Sequence, residues 1–326
     1  MKKIKLLILV RKFDKIYPKH KHLFDSITAL EEFAEVRYWY KNGDINDILK
    51  EMNFLPDFIY YYDITHGYGL APKIVGLDKV SIPKGCHVCD IHRSKERRKK
   101  FIENNNIDLI FSYYKEPFLN TYPEYTNKFR WSPFSVNNNI VKDWHLNKDI
   151  DYLLTGQFYY KDSKNPPKRL PPKGKYIFRE AVFNKMRLDE GFEFIPHPGH
   201  TVKASENVMI NENYTKKLSR AKISFTCGSV LGYAVAKYFE VLGCKTLLLA
   251  KPNKDILELG FQDGINFVAC DENDFYEKAL YYKDNEKERE RITKNGYEFI
   301  HSYHSNSIRA LQVIKYIEEY LKNKKN

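Results

Sequence analysis

The stretch AKYFEVLGCKTLLLAKP, from Ala236 to Pro252, holds a helix end, a glycine turn and a buried strand within seventeen residues. A helix followed at once by a continuous apolar run is the repeating half of a parallel α/β sheet, whose strands are covered on both faces. The helix carries one acidic residue, Glu240, a turn before its stop signal. Two readings are open for it: a solvent-facing carboxylate on an amphipathic helix, or a carboxylate kept for a ligand.

Working outward, the same alternation of short apolar strands and helices repeats along the chain. Strands are predicted at 4–10, 35–40, 57–63, 86–90 and 108–114, with helices over 21–34 and 94–105 between them. The Pro- and Asn-rich stretch 130–144 breaks the rhythm and reads as a connection. A second series of strands follows at 151–156, 192–196, 221–226, 245–250 and 266–270. From Asp271 onward the pattern is helical, with helix starts at Asp271 and near Ser305. The expected architecture is α/β: two Rossmann-like domains facing across a cleft, 1–145 and 146–305, and a helical tail, 306–326, packing back on the first domain. Open parallel sheets bind ligands beyond the carboxyl ends of their strands, so the loops after each strand are the places to look.

The totals narrow the function classes. At 326 residues and 43% apolar content the chain can fill two cores. The run LLILV (6–10) is too short for a membrane span. Five scattered cysteines do not form a disulfide framework, so a cytoplasmic protein is expected, with at most peripheral membrane association. The net charge of +12 is spread evenly: 25 Lys and Arg against 19 Asp and Glu up to Ile150, and 29 against 23 beyond. A nucleic-acid binder concentrates its excess on one face, so no nucleic-acid partner is expected. An even excess favours nucleotide phosphates or an anionic surface, or is simply a Lys-rich habit of composition. The densest cluster, RSKERRKK (93–100), reads as a solvated helix face.

No Gly-rich dinucleotide fingerprint follows the first strand and no phosphate-binding P-loop occurs, which weighs against dehydrogenases and P-loop kinases. Cys86 and Cys89 have zinc-knuckle spacing but lack a second ligand pair, and no metal is expected. Beyond that strand, Asp90 and His92 are positioned as a base or acceptor contact; Asp90 reads equally as a helix N-cap. DITHGYG (63–69), with Asp63 and His66, is a second strand-end loop. Asp149 and Asp151 have the spacing of a metal–diphosphate pair but precede their strand, so they read as structural. IPHPGH brings His197 and Gly199 to a strand end, and TCGSVLG sets Gly228 and Ser229 between a strand and a helix whose N-terminus could seat a diphosphate.

Residues 237–305 carry a more ordered pattern. A basic residue and an aromatic precede Glu240, a Gly-x-x-Leu-Leu turn and strand follow, and then DGINFVAC, YYKDNEKERERI and NGYEFIHSYHS. This order resembles the donor domain of GT-B glycosyltransferases, and more narrowly the group that includes the CgeB type of spore-maturation proteins. Looser similarities, LLTGQFYY with Lys168 and Arg169 downstream among them, extend from about Asp57 onward.

The resemblance implies a glycosyltransferase working on a nucleotide-sugar donor of unknown base, needing no cofactor, with an acceptor such as a bacterial surface glycan, a protein or a lipid-linked sugar. Carried onto this chain, it implies that Glu240 holds the donor ribose. Gly228, Ser229, His197 and Gly199 would line the donor, and Lys168, Arg169 and Lys237 would neutralise the departing phosphate. Lys237 stands where that family more usually has Arg. Asp90 or His92 would serve as base. A nucleotide-sugar epimerase of the same fold, or a non-catalytic GT-B-like binding or surface-assembly protein, are the rival readings. Donor, acceptor, stereochemistry and oligomeric state are not encoded legibly.

Overall fold

The computed structural model describes residues 3–63, 69–161 and 170–325. The chain divides into two compact units, one built from the residues up to Pro133 together with those from Asn306 onward, the other Phe134–Ser305.

Unit 1 contains strands β1 (Lys5–Leu9), β2 (Glu35–Trp39), β3 (Gly43–Asp44), β4 (Phe58–Tyr61), β5 (Ile74–Val75), β6 (Lys84–His87), β7 (Leu109–Ser112) and β8 (Phe129–Trp131). Its helices are α1 (Phe13–Ile16), α2 (Lys21–Thr28), α3 (Ile45–Met52), α4 (Lys95–Asn104) and α5 (Glu116–Thr121). Six strands form one parallel sheet in the order β2-β1-β4-β6-β7-β8, with β3 and β5 paired separately. β1 carries a continuous apolar run because both faces of the sheet are covered: Leu6, Leu7, Ile8 and Leu9 are all fully buried.

Unit 2 contains β9 (Ile150–Gly156), β10 (Phe192–Pro196), β11 (Ala221–Thr226), β12 (Leu247–Ala250) and β13 (Val268–Ala269). Its helices are α6 (Ile177–Met186), α7 (Asn211–Ser219), α8 (Ala236–Gly243), α9 (Lys254–Glu258), α10 (Phe275–Asp284) and α11 (Glu286–Tyr303). The sheet is again wholly parallel, in the order β10-β9-β11-β12-β13. One face packs Leu153, Leu248 and Ala250 against Tyr238, Phe239 and Leu242 of α8, and the other packs Leu154, Phe225 and Leu249 among Phe178, Val182 and Phe275 of α6 and α10.

The chain then returns to unit 1 as α12 (Asn306–Lys325), which packs against α2 and the turn Ala29–Glu32. Ala310, Val313, Ile314 and Ile317 are buried there, and the Tyr320 hydroxyl donates to Asp108.

The unit boundary lies twelve residues ahead of the expected one, because residues 134–145 are anchored in unit 2. Val141 belongs to the unit 2 core, and Trp144 Nε1 donates to Thr215 Oγ1 at 3.1 Å. The helix expected to start at Asp271 begins at Phe275 behind Asp274. Arg98, in the run read as a solvated face, is instead fully buried on α4. Its Nη1 donates to the carbonyls of Asp90 (2.7 Å) and Arg93 (2.9 Å), and Nη2 lies 3.9 Å from the buried Asp63 carboxylate.

Candidate functional site

In unit 2 the strand order reverses at β9: β10 pairs on one side and β11 on the other. The carboxyl end of β9 is therefore a topological switch point, outside which open parallel sheets take their ligands. β9 ends on Gly156 at φ 127, a backbone region that side chains rarely enter. The His197 amide donates to the Gly156 carbonyl at 3.1 Å, which brings the loop after β10 alongside. In that loop the Gly199 amide donates to His197 Nδ1 at 3.0 Å, and the His197 and His200 rings lie 4.8 Å apart.

Two basic side chains from different helices converge on Gly156. Lys237, in the first turn of α8, reaches back so that Nζ donates to the Thr155 carbonyl; a Cβ on Gly156 would collide with that Nζ. The same Cβ would lie 3.4 Å from Nη1 of Arg179, in the first turn of α6. Arg179 is 7% exposed, donates from Nη1 to the Gln157 carbonyl at 3.1 Å, and stacks 4.8 Å from the Tyr176 ring centre. The start of α6 is held by the next residue, Glu180, whose carboxylate accepts the Gly174 amide at 2.9 and 3.0 Å and the Tyr176 amide at 3.4 Å. This is the backward reach of a capping glutamate, satisfying amides that a helix start leaves open.

Glu240 follows Lys237 by three residues and so shares its face of α8. It is half-buried, not solvent-facing. Its carboxylate lies beside the phenol of Tyr214 on α7, and burial first, then that negative charge, pushes Tyr214 well above the usual tyrosine range. The Tyr214 hydroxyl is buried and makes no full hydrogen bond within the described residues, although Thr155 and Glu240 are its polar neighbours. Burial and Glu240 also push the Cys244 thiol up.

Gly228 and Ser229 follow β11, the strand beside β9, but α8 begins only at Ala236. They therefore do not form the helix N-terminus that the sequence suggested. They open a tight loop closed by the Tyr233 amide donating to the Gly228 carbonyl at 2.9 Å. A Cβ on Gly228 would sit 2.8 Å from the Gly232 carbonyl carbon and the Tyr233 nitrogen, so this glycine serves the loop's own closure.

Asp90 and His92 lie in unit 1, beyond the carboxyl end of β6, Asp90 half-buried and His92 exposed. Asp90 takes a left-handed backbone at φ 43, and the N-cap position of α4 belongs to Ser94, not to Asp90. Lys168, Arg169 and His66 lie outside the described residues. Asp149 is paired with Arg220, and Asp151 with Lys222 and Lys283. Cys86 and Cys89 are buried free thiols raised by that burial. Among the described residues no cluster of His, Cys, Asp or Glu could hold a metal ion, and no helix is long and apolar enough to cross a membrane. Sequence reasoning thus brought Lys237, His197, Gly199 and Glu240 to one end of the unit 2 sheet. Arg179 on α6 and Tyr214 on α7 carry no local signal in the sequence.

Residues 195–315 match the family described as glycosyl transferase-like. No curated protein matches the sequence. The whole chain superposes on solved structures at low identity. A glycosyltransferase of Rickettsia africae gives a TM-score of 0.62 at 11% identity, covering 99% of this chain and 100% of that one. Anabaena Alr3699/HepE, solved in complex with UDP, gives 0.60 at 12%, covering 97% and 100%. The sucrose-phosphate synthase tll1590 of Thermosynechococcus elongatus gives 0.59 at 12%, covering 98% and 99%. These likenesses establish the fold, which is GT-B.

Proposed function

We propose that this protein is a glycosyltransferase that moves a sugar from a nucleoside-diphosphate sugar to an acceptor of the surface-glycan, protein or lipid-linked class. The observation that carries the reading is the inward placement of Lys237 and Glu240, one turn apart on α8, at the switch-point end of β9. A carboxylate there can accept bonds from two adjacent ribose hydroxyls, and an ammonium one turn nearer the strand end can meet phosphate charge. The UDP held by the Anabaena neighbour makes uridine the first base to test.

In this reading Glu240 binds the ribose and Lys237 stabilises the departing diphosphate. His197, Gly199, Gly228 and Ser229 line the donor through their loops, with Lys168 and Arg169 completing the basic surroundings. Asp90 or His92 supplies the base. Because side-chain cations neutralise the leaving group, transfer is proposed to be metal-independent and insensitive to chelators. The narrower kinship with the CgeB type rests on the motif order between 237 and 305.

The test is a thermal-shift screen of UDP, GDP, CDP, dTDP and their sugars against wild type and Glu240→Ala. A ligand at a hundredfold excess over its Kd adds about 2.7 kcal/mol of stability. One nucleotide should stabilise the wild type and lose that effect in the variant. If none stabilises the wild type, the donor-site reading fails.

A further inference from the structure

We infer that a cavity at the amino end of β7 and β8, in unit 1, is a binding seat for a small phosphate monoester, and that its occupant staples α12 onto the unit. The inference is independent of the donor reading. Open parallel sheets take substrates beyond the carboxyl ends of their strands, and this cavity lies at the other end. Its volume is about 340 Å³, within the range of about 300–1,000 Å³ usual for small-ligand sites. Three segments line it: Asn106 and Asp108 from the turn into β7, Asn127, Lys128 and Arg130 from the turn into β8 and its start, and Tyr320 from α12.

The charges around this cavity do not cancel. Asp108 is the carboxylate in its lining, and both oxygens are committed: Oδ2 accepts the Lys84 amide at 2.8 Å, while Oδ1 accepts the Tyr320 hydroxyl and lies 3.8 Å from Lys324 Nζ. Lys128 and Arg130 have no carboxylate partner among the described residues. Lys128 Nζ donates to the Ile107 carbonyl at 2.7 Å, and Arg130 Nη1 to the carbonyls of Asn127 (3.0 Å) and Phe129 (2.8 Å). These neutral acceptors use only part of what an ammonium and a guanidinium can donate. With Lys324 at the rim, three cations stand against one carboxylate, which favours a ligand carrying more than a single negative charge. A phosphate monoester is nearly dianionic at neutral pH, and its oxygens suit both a planar fork and a point charge. The amides of Asn106 and Asn127 donate and accept, as hydroxyls beside the phosphate require. Arg130 also lies 6.0 Å from the ring centre of Tyr316, one turn before Tyr320 on α12. An anion held there joins the turns into β7 and β8 to α12, and whatever binds only the docked state stabilises it by mass action.

Calorimetric titration of the full chain with glycerol 3-phosphate, inorganic phosphate and glycerol, for wild type, Arg130→Gln and Asn127→Asp, tests this. Glycerol 3-phosphate should bind the wild type and glycerol should not. Arg130→Gln removes the fork, and Asn127→Asp keeps the side chain's shape while setting a negative charge in the cavity. Each should weaken glycerol 3-phosphate at least about tenfold, as expected for one charged hydrogen bond. Equal affinity for inorganic phosphate supports a seat that reads the phosphate alone, and weaker phosphate binding supports one that reads the hydroxyls as well. A wild type that binds neither phosphate, or undiminished affinity in either folded variant, overturns the inference. Should Arg130→Gln not fold, Asn127→Asp decides. Glu240→Ala should leave glycerol 3-phosphate binding unchanged; its loss there would move the phosphate to unit 2 and overturn the seat. Hydrogen exchange across 306–325 should slow when glycerol 3-phosphate is bound, and unchanged exchange overturns the staple.

Discussion

Replacing Gly156 by Ala perturbs the switch-point end of β9 in two separable ways. The first is backbone strain: at φ 127 a residue with a Cβ sits in a sparsely populated region, at a cost of about 1–3 kcal/mol. The second is displacement: the new methyl would stand too close to Lys237 Nζ, and if that amine draws off the Thr155 carbonyl the lost charged hydrogen bond costs about 1.5–3 kcal/mol. Together they predict a loss of about 2.5–6 kcal/mol in the stability of unit 2. Gly199 provides the control. It also has positive φ, 95, but no atom lies within 4 Å of its would-be Cβ, so Gly199→Ala carries the strain alone, about 1–3 kcal/mol. Urea unfolding of both variants, followed by circular dichroism, measures the difference. Equal losses in the two, or a Gly156→Ala loss below about 1 kcal/mol, would refute the convergence of Lys237 on that position.

Other outcomes follow from the same geometry. Tyr214→Phe removes a buried hydroxyl that lacks a full hydrogen bond, so it should raise stability by about 1–2 kcal/mol while weakening UDP binding beside Glu240, with melting and calorimetry as readouts; a lower melting temperature sinks the reasoning. The His87 imidazole, buried and then further disfavoured by the charge of Arg98, has its pKa pushed down to about 3 from 6.5. Between those values the unfolded chain takes up a proton that the folded chain refuses. Stability is therefore unaffected above pH 6.5 and falls toward pH 3, by up to about 1.4 kcal/mol per pH unit. His87→Gln should flatten that acid limb in melts between pH 7 and pH 4; an unchanged slope contradicts it.

The fold was legible where burial on both faces writes itself as an apolar run. FEFIP and AKISFT coincide with β10 and β11 to the residue, and TLLLA contains β12. It was illegible where strands are short or carry poor strand formers. β8 is three half-buried residues, with no run to see, and β6 begins at Lys84 and Gly85, two residues before the apolar signal. The left-handed turn after α8 falls on Lys245, not on Gly243. At the site, Lys237 and Glu240 were readable because one helical turn joins them. Arg179 and Tyr214 were not, since what distinguishes them is an unsatisfied buried atom, a property of three-dimensional neighbours. Arg98 shows the same limit: it sits in a run of charges, and only Asp63, far upstream, and the carbonyls of the 90–93 loop take it inside.

The return of α12 to unit 1 reverses the order in which the chain can be finished during synthesis. Unit 2 is a single continuous segment, complete once Ser305 has emerged, whereas unit 1, although started first, still lacks the helix that covers α2 and Asp108. Domains on a ribosome generally mature from the amino terminus. Here the amino-terminal sheet must wait, with apolar surface exposed, for the residues from Asn306 onward. The segments on either side of unit 2 are thereby bound into one cooperative unit, and loss of α12 would injure the half of the protein that was made first.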